Sequence, residues 1–331
     1  MNKSIRVGVF GAAFIVVLVV GVSIGFAQKY KSKNESSIPA GHAVLWRDPG
    51  DSSERDLLLG PGGESMRPDL SQVTLIEKEK GGYSTKYRVR DGSGHEWSAK
   101  VGKEAQSETA ASRLLWAIGY FTDINYLVPS VRVAGLNKTL TNVRFSARPD
   151  GVKRLDGFAW SNNPFIGTRE FQGLKVMMAL INNWDIKDSN NKIIVVPGKN
   201  GENELQYEVH DLGGTFGKIS HLPRFLQFKP DRNNPTAYAK SRLVDKVKDG
   251  RVDFHYSVKR NDLFKNISVE DARWVGAQLS RLSDQQIEDA FRSANYTPEQ
   301  VRIMTAAVRK RVAELNALPQ LVAERGTKGV H

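Results

Sequence analysis

Between the apolar runs FQGLKVMMALI and KIIVV, the chain carries Asn182-Asn183-Trp184-Asp185-Ile186-Lys187-Asp188-Ser189-Asn190-Asn191. Carboxylates, an ammonium and carboxamides crowded between two buried elements suit metal-assisted transfer of a phosphoryl group to a hydroxyl. That reaction asks little covalent chemistry of a protein. It needs a carboxylate to orient the acceptor, oxygen ligands for a metal, a cation on the phosphates and a tight backbone turn above them. Asp185, Lys187 and Asn190 are candidates in the loop, with Asp211, Lys100, Glu108 and the pair Gly81-Gly82 elsewhere. The same residue types also favour an ordinary polar turn, and Asp188 and Asn191 read as surface positions.

The elements around these residues follow from local pattern. VTLIEKEK, YSTKYRVRD and EWSAKVG read as three strands, joined by Gly81-Gly82 and by the hairpin signal DGSG at 91–94. SETAASRLLWAIGY has helical spacing at Ala111, Leu114, Leu115 and Ile118, with Ser107 as a candidate N-cap. LVPSVRVAG and TNVRFSAR add strands. REFQGLKVMMALI is a helix that runs into the polar loop, and KIIVV and LQYEVHD form a strand pair across a turn at 197–203. The carboxyl third is helical, with N-caps expected at Ser268, Ser283 and Thr297, the first two and the last carrying Asp271, Gln286 and Gln300 in capping-box positions.

Composition narrows the classes. The 331 residues contain no cysteine, which excludes disulfides, thiolate metal sites and a cysteine nucleophile, and the six histidines have no zinc-site spacing. The net charge is +12, of which Lys3, Arg6, Lys29, Lys31 and Lys33 contribute five. No basic-aromatic array accompanies it, so nucleic acid is not expected as a partner. Val7 to Ala27 holds no charge and is preceded by Lys3 and Arg6, the pattern of an export signal or a membrane anchor. Flanking charge nearly ties, with a lean towards an inside amino terminus and an exported body. The expected organisation is 1–27 signal or anchor, 28–70 tether becoming ordered near HAVLWRD and DLLLGPGGE, 71–145 a sheet with one helix, 146–318 a mainly helical region and 319–331 a tail.

Asp-Ile-Lys-Asp-Ser-Asn at 185–190 resembles the D-L-K-x-x-N catalytic loop of protein kinases, and Asp211-Leu212-Gly213 resembles their metal-binding D-F-G. Lys100, ending the third strand 19 residues after Gly81, stands where that superfamily keeps its phosphate-binding lysine. Over roughly residues 70–290 the chain is similar to the protein-kinase-like superfamily, in its atypical bacterial and secretory branches (HipA-like, spore-coat CotH-like and secreted Golgi kinases). It is also similar to uncharacterised exported bacterial proteins carrying NPFxGTREFxGLxVMMALINNWDxKDxNN. The resemblance implies an α+β, two-lobed fold. It implies that Asp185 orients an acceptor hydroxyl and Lys187 faces the transferring phosphate. Asn190 and Asp211 would hold Mg2+ or Mn2+, Gly81, Gly82 and Lys100 would hold ATP, and Glu108 would pair with Lys100.

The sequence also departs from that pattern. Trp184 stands where an Arg usually precedes the catalytic Asp, the glycine loop is only Gly-Gly, the Lys100–Glu108 separation is short, and no A-P-E follows D-L-G. Three functions therefore compete: a phosphotransferase acting on an unknown hydroxyl, a pseudokinase used as a binding or scaffold module, and a structural envelope protein in which these residues do not converge.

Overall fold

The structure, a computed structural model, describes residues 38–80, 84–198, 201–219, 231–256 and 260–319. A closed barrel, a four-stranded sheet, a two-stranded hairpin and a set of helices make up the compact unit that starts at Pro39, and the chain is α+β.

β2 (Val73–Glu79), β3 (Thr85–Arg90), β4 (Glu96–Val101), β5 (Asn125–Ala134) and β6 (Lys138–Ala147) close into a barrel in the order β2-β3-β4-β6-β5. The sequence expectation was a compact antiparallel sheet with one helix against it. Closure comes from Val73 and Thr74 pairing parallel with Val133 and Ala134. Alternation sorts the side chains. Tyr87, Val89, Trp97, Ala99, Val143 and Phe145 fill the barrel, so their strand neighbours Lys86, Ser98, Lys100, Arg144 and Ser146 point to its outer face.

That outer face is covered by α1 (Lys103–Ala117). The helix starts at Gly102, whose φ of 119° suits glycine, and not at Ser107. Ser107 lies fully buried inside the helix, where its hydroxyl donates to the carbonyls of Glu104 (3.2 Å) and Gly213 (2.9 Å). Five residues past the cap, the N–H groups that follow Ser107 already bond within the helix, so it has no free helix end to cap.

A second sheet has the order β1-β9-β8-β7, formed by β1 (Gly41–Val44), β7 (Lys153–Leu155), β8 (Asn191–Pro197) and β9 (Asn203–Val209), with β1 parallel to β9. The segment expected as a tether is thus, from Pro39 on, packed into the body. Leu45 and Leu57 are buried in the main core and the Trp46 indole donates to the Ile118 carbonyl at 2.6 Å. Burying those apolar side chains stabilises enough to order a stretch rich in Gly, Pro and charge.

α2 (Arg169–Leu180), α3 (Pro235–Lys240), α4 (Val269–Ser280), α5 (Asp284–Arg292) and α6 (Pro298–Asn316) pack with this sheet around Trp160, Phe171, Met177, Phe216 and Phe291; β10 (Val244–Lys248) and β11 (Arg251–Phe254) form a separate hairpin. Full capping boxes form at Ser283–Gln286 and Thr297–Gln300. At Ser268 only half the box forms, because the shorter Asp271 carboxylate takes the Ser268 hydroxyl at 2.7 Å and not its backbone N–H. Among the described residues no helix is long and apolar enough to cross a membrane. Residues 7–27, expected as a signal or anchor, lie outside the described residues.

Candidate functional site

The polar loop begins at the end of α2. Asn182 takes the left-handed conformation that stops the helix (φ 52°). Its carboxamide donates to the Gly217 carbonyl at 2.8 Å and accepts from the Arg311 guanidinium at 3.0 Å. Arg311, buried on α6, also donates to the Leu180 carbonyl at 2.6 Å, an orphan acceptor of the helix end. Asn183 accepts from the Asp185 N–H at 3.1 Å, and its carbonyl accepts from the Tyr256 hydroxyl. Both asparagines therefore aim the loop.

Asp185 and Asn190 close the loop on each other: the Asn190 Nδ2 donates to the Asp185 carbonyl at 2.8 Å and to its carboxylate at 3.2 Å. The exposed Lys187 ammonium reaches the same carboxylate at 2.7 Å. Asp188 accepts from the Trp160 N–H at 2.9 Å and pairs with Arg260 at 3.6 Å, while the buried Asn191 donates to the Phe158 carbonyl at 2.8 Å. Those two positions, expected at the surface, anchor the loop instead.

The segment after β9 runs alongside. The N–H groups of His210 and Asp211 point to the Asn190 carbonyl at 2.7 and 3.3 Å, and the Trp184 N–H donates to the Gly214 carbonyl at 3.1 Å. Glycine at 214 eases contact with the loop, since a methyl group there would sit tightly, 3.2 Å from the Asp185 Cβ. At Gly213 it would meet the Glu104 Cβ at 2.7 Å. Asp211-Leu212-Gly213-Gly214 is thus a thin ribbon between α1 and the polar loop.

Opposite lies Lys100, 2% exposed. Its ammonium pairs with Glu108 at 2.8 Å, Asp211 at 3.2 Å and Glu104 at 3.3 Å. The short separation in sequence does not prevent the pair with Glu108, because α1 begins just after β4 and folds back over it. Glu104 and Glu108, one turn apart, then face the same ammonium. Burial alone would raise the Asp211 carboxyl, but the Lys100 charge and hydrogen bond, with Arg144 and the Gly213 N–H, bring it down to about 2.

Sequence inspection misses Lys86 and Arg144. They are the cross-strand neighbours of Lys100, on β3 and β6, so three cations form one row. Like charges in such positions repel, and the Lys86 ammonium is held below its ordinary value by burial and by Lys100. Glu108 relieves the row by pairing with Arg144 as well, its carboxylate 3.1 Å from the guanidinium. Strand parity in TNVRFSAR was the available signal for Arg144.

Behind the row is a second buried ionic cluster. Asp123 contacts His210 at 2.9 Å, Arg154 at 3.0 Å and Arg144 at 3.6 Å. Burial would raise its carboxyl, yet His210, Arg154 and Arg148 hold it well below the usual range. Glu208, buried nearby and repelled by Asp123, is pushed up to about 8. Asp123, Glu208 and His210 bring ligand-type atoms within 4.8 Å of one another, but the guanidinium groups already supply the countercharge there.

The structure therefore brings Lys100, Glu108 and Asp211 into direct contact and seats Asp185, Lys187 and Asn190 on the other side of the Asp211 ribbon. Gly81 and Gly82 lie outside the described residues.

No protein-family model and no curated protein sequence matches the chain. Among solved structures it is similar to the Helicobacter pylori proinflammatory kinase CtkA, at 10% identity over 75% of this chain and 95% of that one, with a TM-score of 0.45. It is also similar to the Chaetomium thermophilum Rio2 kinase in an ADP/Mg2+-phosphoaspartate complex, at 10% identity over 76% and 74%, with a TM-score of 0.34. At this degree of likeness, any functional assignment rests on the side chains.

Proposed function

We propose that the chain is an ATP- and divalent-metal-dependent phosphotransferase of two-lobed, protein-kinase-like fold, acting on a hydroxyl acceptor. The observation that carries this is the contact of buried Lys100 with both Glu108 and Asp211, across a glycine ribbon from Asp185 and Asn190. A buried ammonium surrounded by carboxylates from two elements suits phosphate binding by charge, and Glu108 keeps it extended towards the site.

The donor set fits a hard cation. Asp211 offers a carboxylate one-third exposed and held ionised by Lys100. Asn190 commits its Nδ2 to Asp185, which leaves its amide oxygen for a cation. Oxygen ligands of this kind suit Mg2+ or Mn2+. When bound, such an ion neutralises charge on the transferring phosphoryl group. Asp185, backed by Asn190, orients the acceptor hydroxyl and takes its proton. Lys187, paired with Asp185 and exposed, turns to the transferring phosphate.

The pseudokinase alternative is favoured by Trp184 in the place of Arg. The experiment is thermal unfolding of the chain with millimolar ATP and Mg2+ or Mn2+, beside Asp211→Ala. A metal-dependent rise that is lost in Asp211→Ala supports the nucleotide site; no rise with any nucleotide turns the function towards a scaffold. We further propose that residues 1–27 anchor or export the body; fractionation of a tagged chain, with protease access to the tag, tests orientation.

A further inference from the structure

Glu104 is the unusual member of the site. Its carboxylate meets groups on three separate stretches of chain: it pairs with the Lys100 ammonium at 3.3 Å and with the Arg232 guanidinium, and accepts from the Ser84 hydroxyl at 2.5 Å. Two cations and a hydroxyl converging on one anion make a cradle of the kind that binds phosphate. The cradle lies on the Asp211 ribbon, since Gly213 packs directly against the Glu104 side chain.

Arg232 is fixed independently of Glu104. Its guanidinium lies 5.0 Å from the centre of the Trp184 ring, beside Asp185. The backbone on its carboxyl side is tied down, Asn233 and Asn234 donating to the Thr215 and Phe216 carbonyls at 2.9 and 2.8 Å. The Tyr296 hydroxyl and Gln106 hold the Asn233 side chain. The Glu104 carboxylate is therefore an anion that Arg232 and Lys100 share. Position 232 thus places a cation over Trp184, next to Asp185 in the chain.

We infer that Lys100, Arg232 and Ser84 form a polyphosphate subsite, and that the Glu104 carboxylate occupies it until the nucleotide's terminal phosphates displace it. This deepens the phosphotransferase assignment and rests on it. Glu104 acts as an internal competitor that lowers affinity for nucleotide, and Arg232 supplies the forked donor that a phosphate engages through two oxygens.

The test is calorimetric titration of the full-length chain with Mg·ATP, with Mg·pyrophosphate and with adenosine, which lacks phosphate. Glu104→Gln is expected to tighten Mg·ATP and Mg·pyrophosphate about tenfold, and Arg232→Met to weaken both about tenfold, on the scale of one charge-assisted contact. Adenosine affinity stays within twofold in both. Arg232→Lys, which keeps the charge and loses the fork, falls between, and the double variant loses the gain of Glu104→Gln. Unfolding midpoints confirm that each variant is folded, and Arg232→Lys carries the comparison if Arg232→Met is not. If wild-type binds Mg·ATP through Asp211 while Glu104→Gln and Arg232→Met stay within twofold of it, the subsite is wrong and the phosphotransferase assignment stands. A gain in Glu104→Gln that survives Arg232→Met also overturns the subsite. If neither wild-type nor Glu104→Gln binds any of the three, both fail.

Discussion

Lys100 and Arg144 are register partners on adjacent antiparallel strands, and both are almost wholly buried. Two neighbouring cations are tolerated there because Glu108 pairs with both, accepting from Lys100 at 2.8 Å and lying 3.1 Å from the Arg144 guanidinium. Glu108 is thus the counter-ion of the barrel's outer face as well as a partner of the candidate phosphate-binding lysine.

Removing it should be costly. Glu108→Ala leaves two buried cations undercompensated, and the expected loss is about 3–5 kcal/mol of folding stability. Equilibrium denaturation reads it out. Combining it with Arg144→Met should recover part of the loss; full additivity would show that the two side chains are not coupled.

Asp185→Asn keeps the shape of the loop and removes the charge that orients and deprotonates the acceptor. Nucleotide-dependent stabilisation should survive, while transfer to an acceptor, or slow hydrolysis of ATP, falls by roughly 10²–10⁴. A variant that loses both would place Asp185 in nucleotide binding instead.

The buried Asp123–Glu208 pair predicts an unusual pH dependence. Glu208 titrates near 8 in the folded chain because burial, then Asp123, disfavours its charge. An unfolded glutamate titrates near its ordinary value, about 4.3. The folded value is the higher one, so the stabilisation is full below about 4.3 and is lost as pH rises to about 8. Glu208→Gln removes this penalty. Its unfolding midpoint should exceed that of wild-type at pH 8.5, and the advantage should shrink as pH falls and vanish only below about pH 4. Equal slopes of stability with pH in the two proteins would show that Glu208 is ionised in the folded state.

Gly213→Ala probes close packing. The added methyl group meets the Glu104 Cβ at 2.7 Å, so either α1 or the ribbon must shift. The expected cost is about 1–3 kcal/mol, typical of an overpacked contact. The sharper effect is on ligand binding: the ATP-dependent rise in unfolding midpoint should shrink several-fold, because the Lys100–Asp211 contact spans the same gap. An unchanged rise would mean that the ribbon moves without disturbing that contact.

Much of this molecule was legible in its sequence because the signals are local. Strand-like runs marked β2 to β6, with alternation clear in β3; helical spacing marked α1 and α2, and Ser283 and Thr297 announced helix starts, where their side chains accept from the N–H three residues ahead. Residue type and spacing also singled out Lys100, Glu108, Asp185, Lys187, Asn190 and Asp211 as a set capable of one chemistry. What those signals cannot carry is which distant elements meet. Lys100 and Asp211 touch across 111 positions, and the closing of the barrel, the addition of β1 beside β9, the Arg144 row and the stacking of Arg232 on Trp184 are all contacts between segments far apart in the chain. Propensity and capping are decided within a few residues. Ion pairs and glycine contacts are decided only once burial has fixed how the sheets and helices pack, and it is there that the site takes its form.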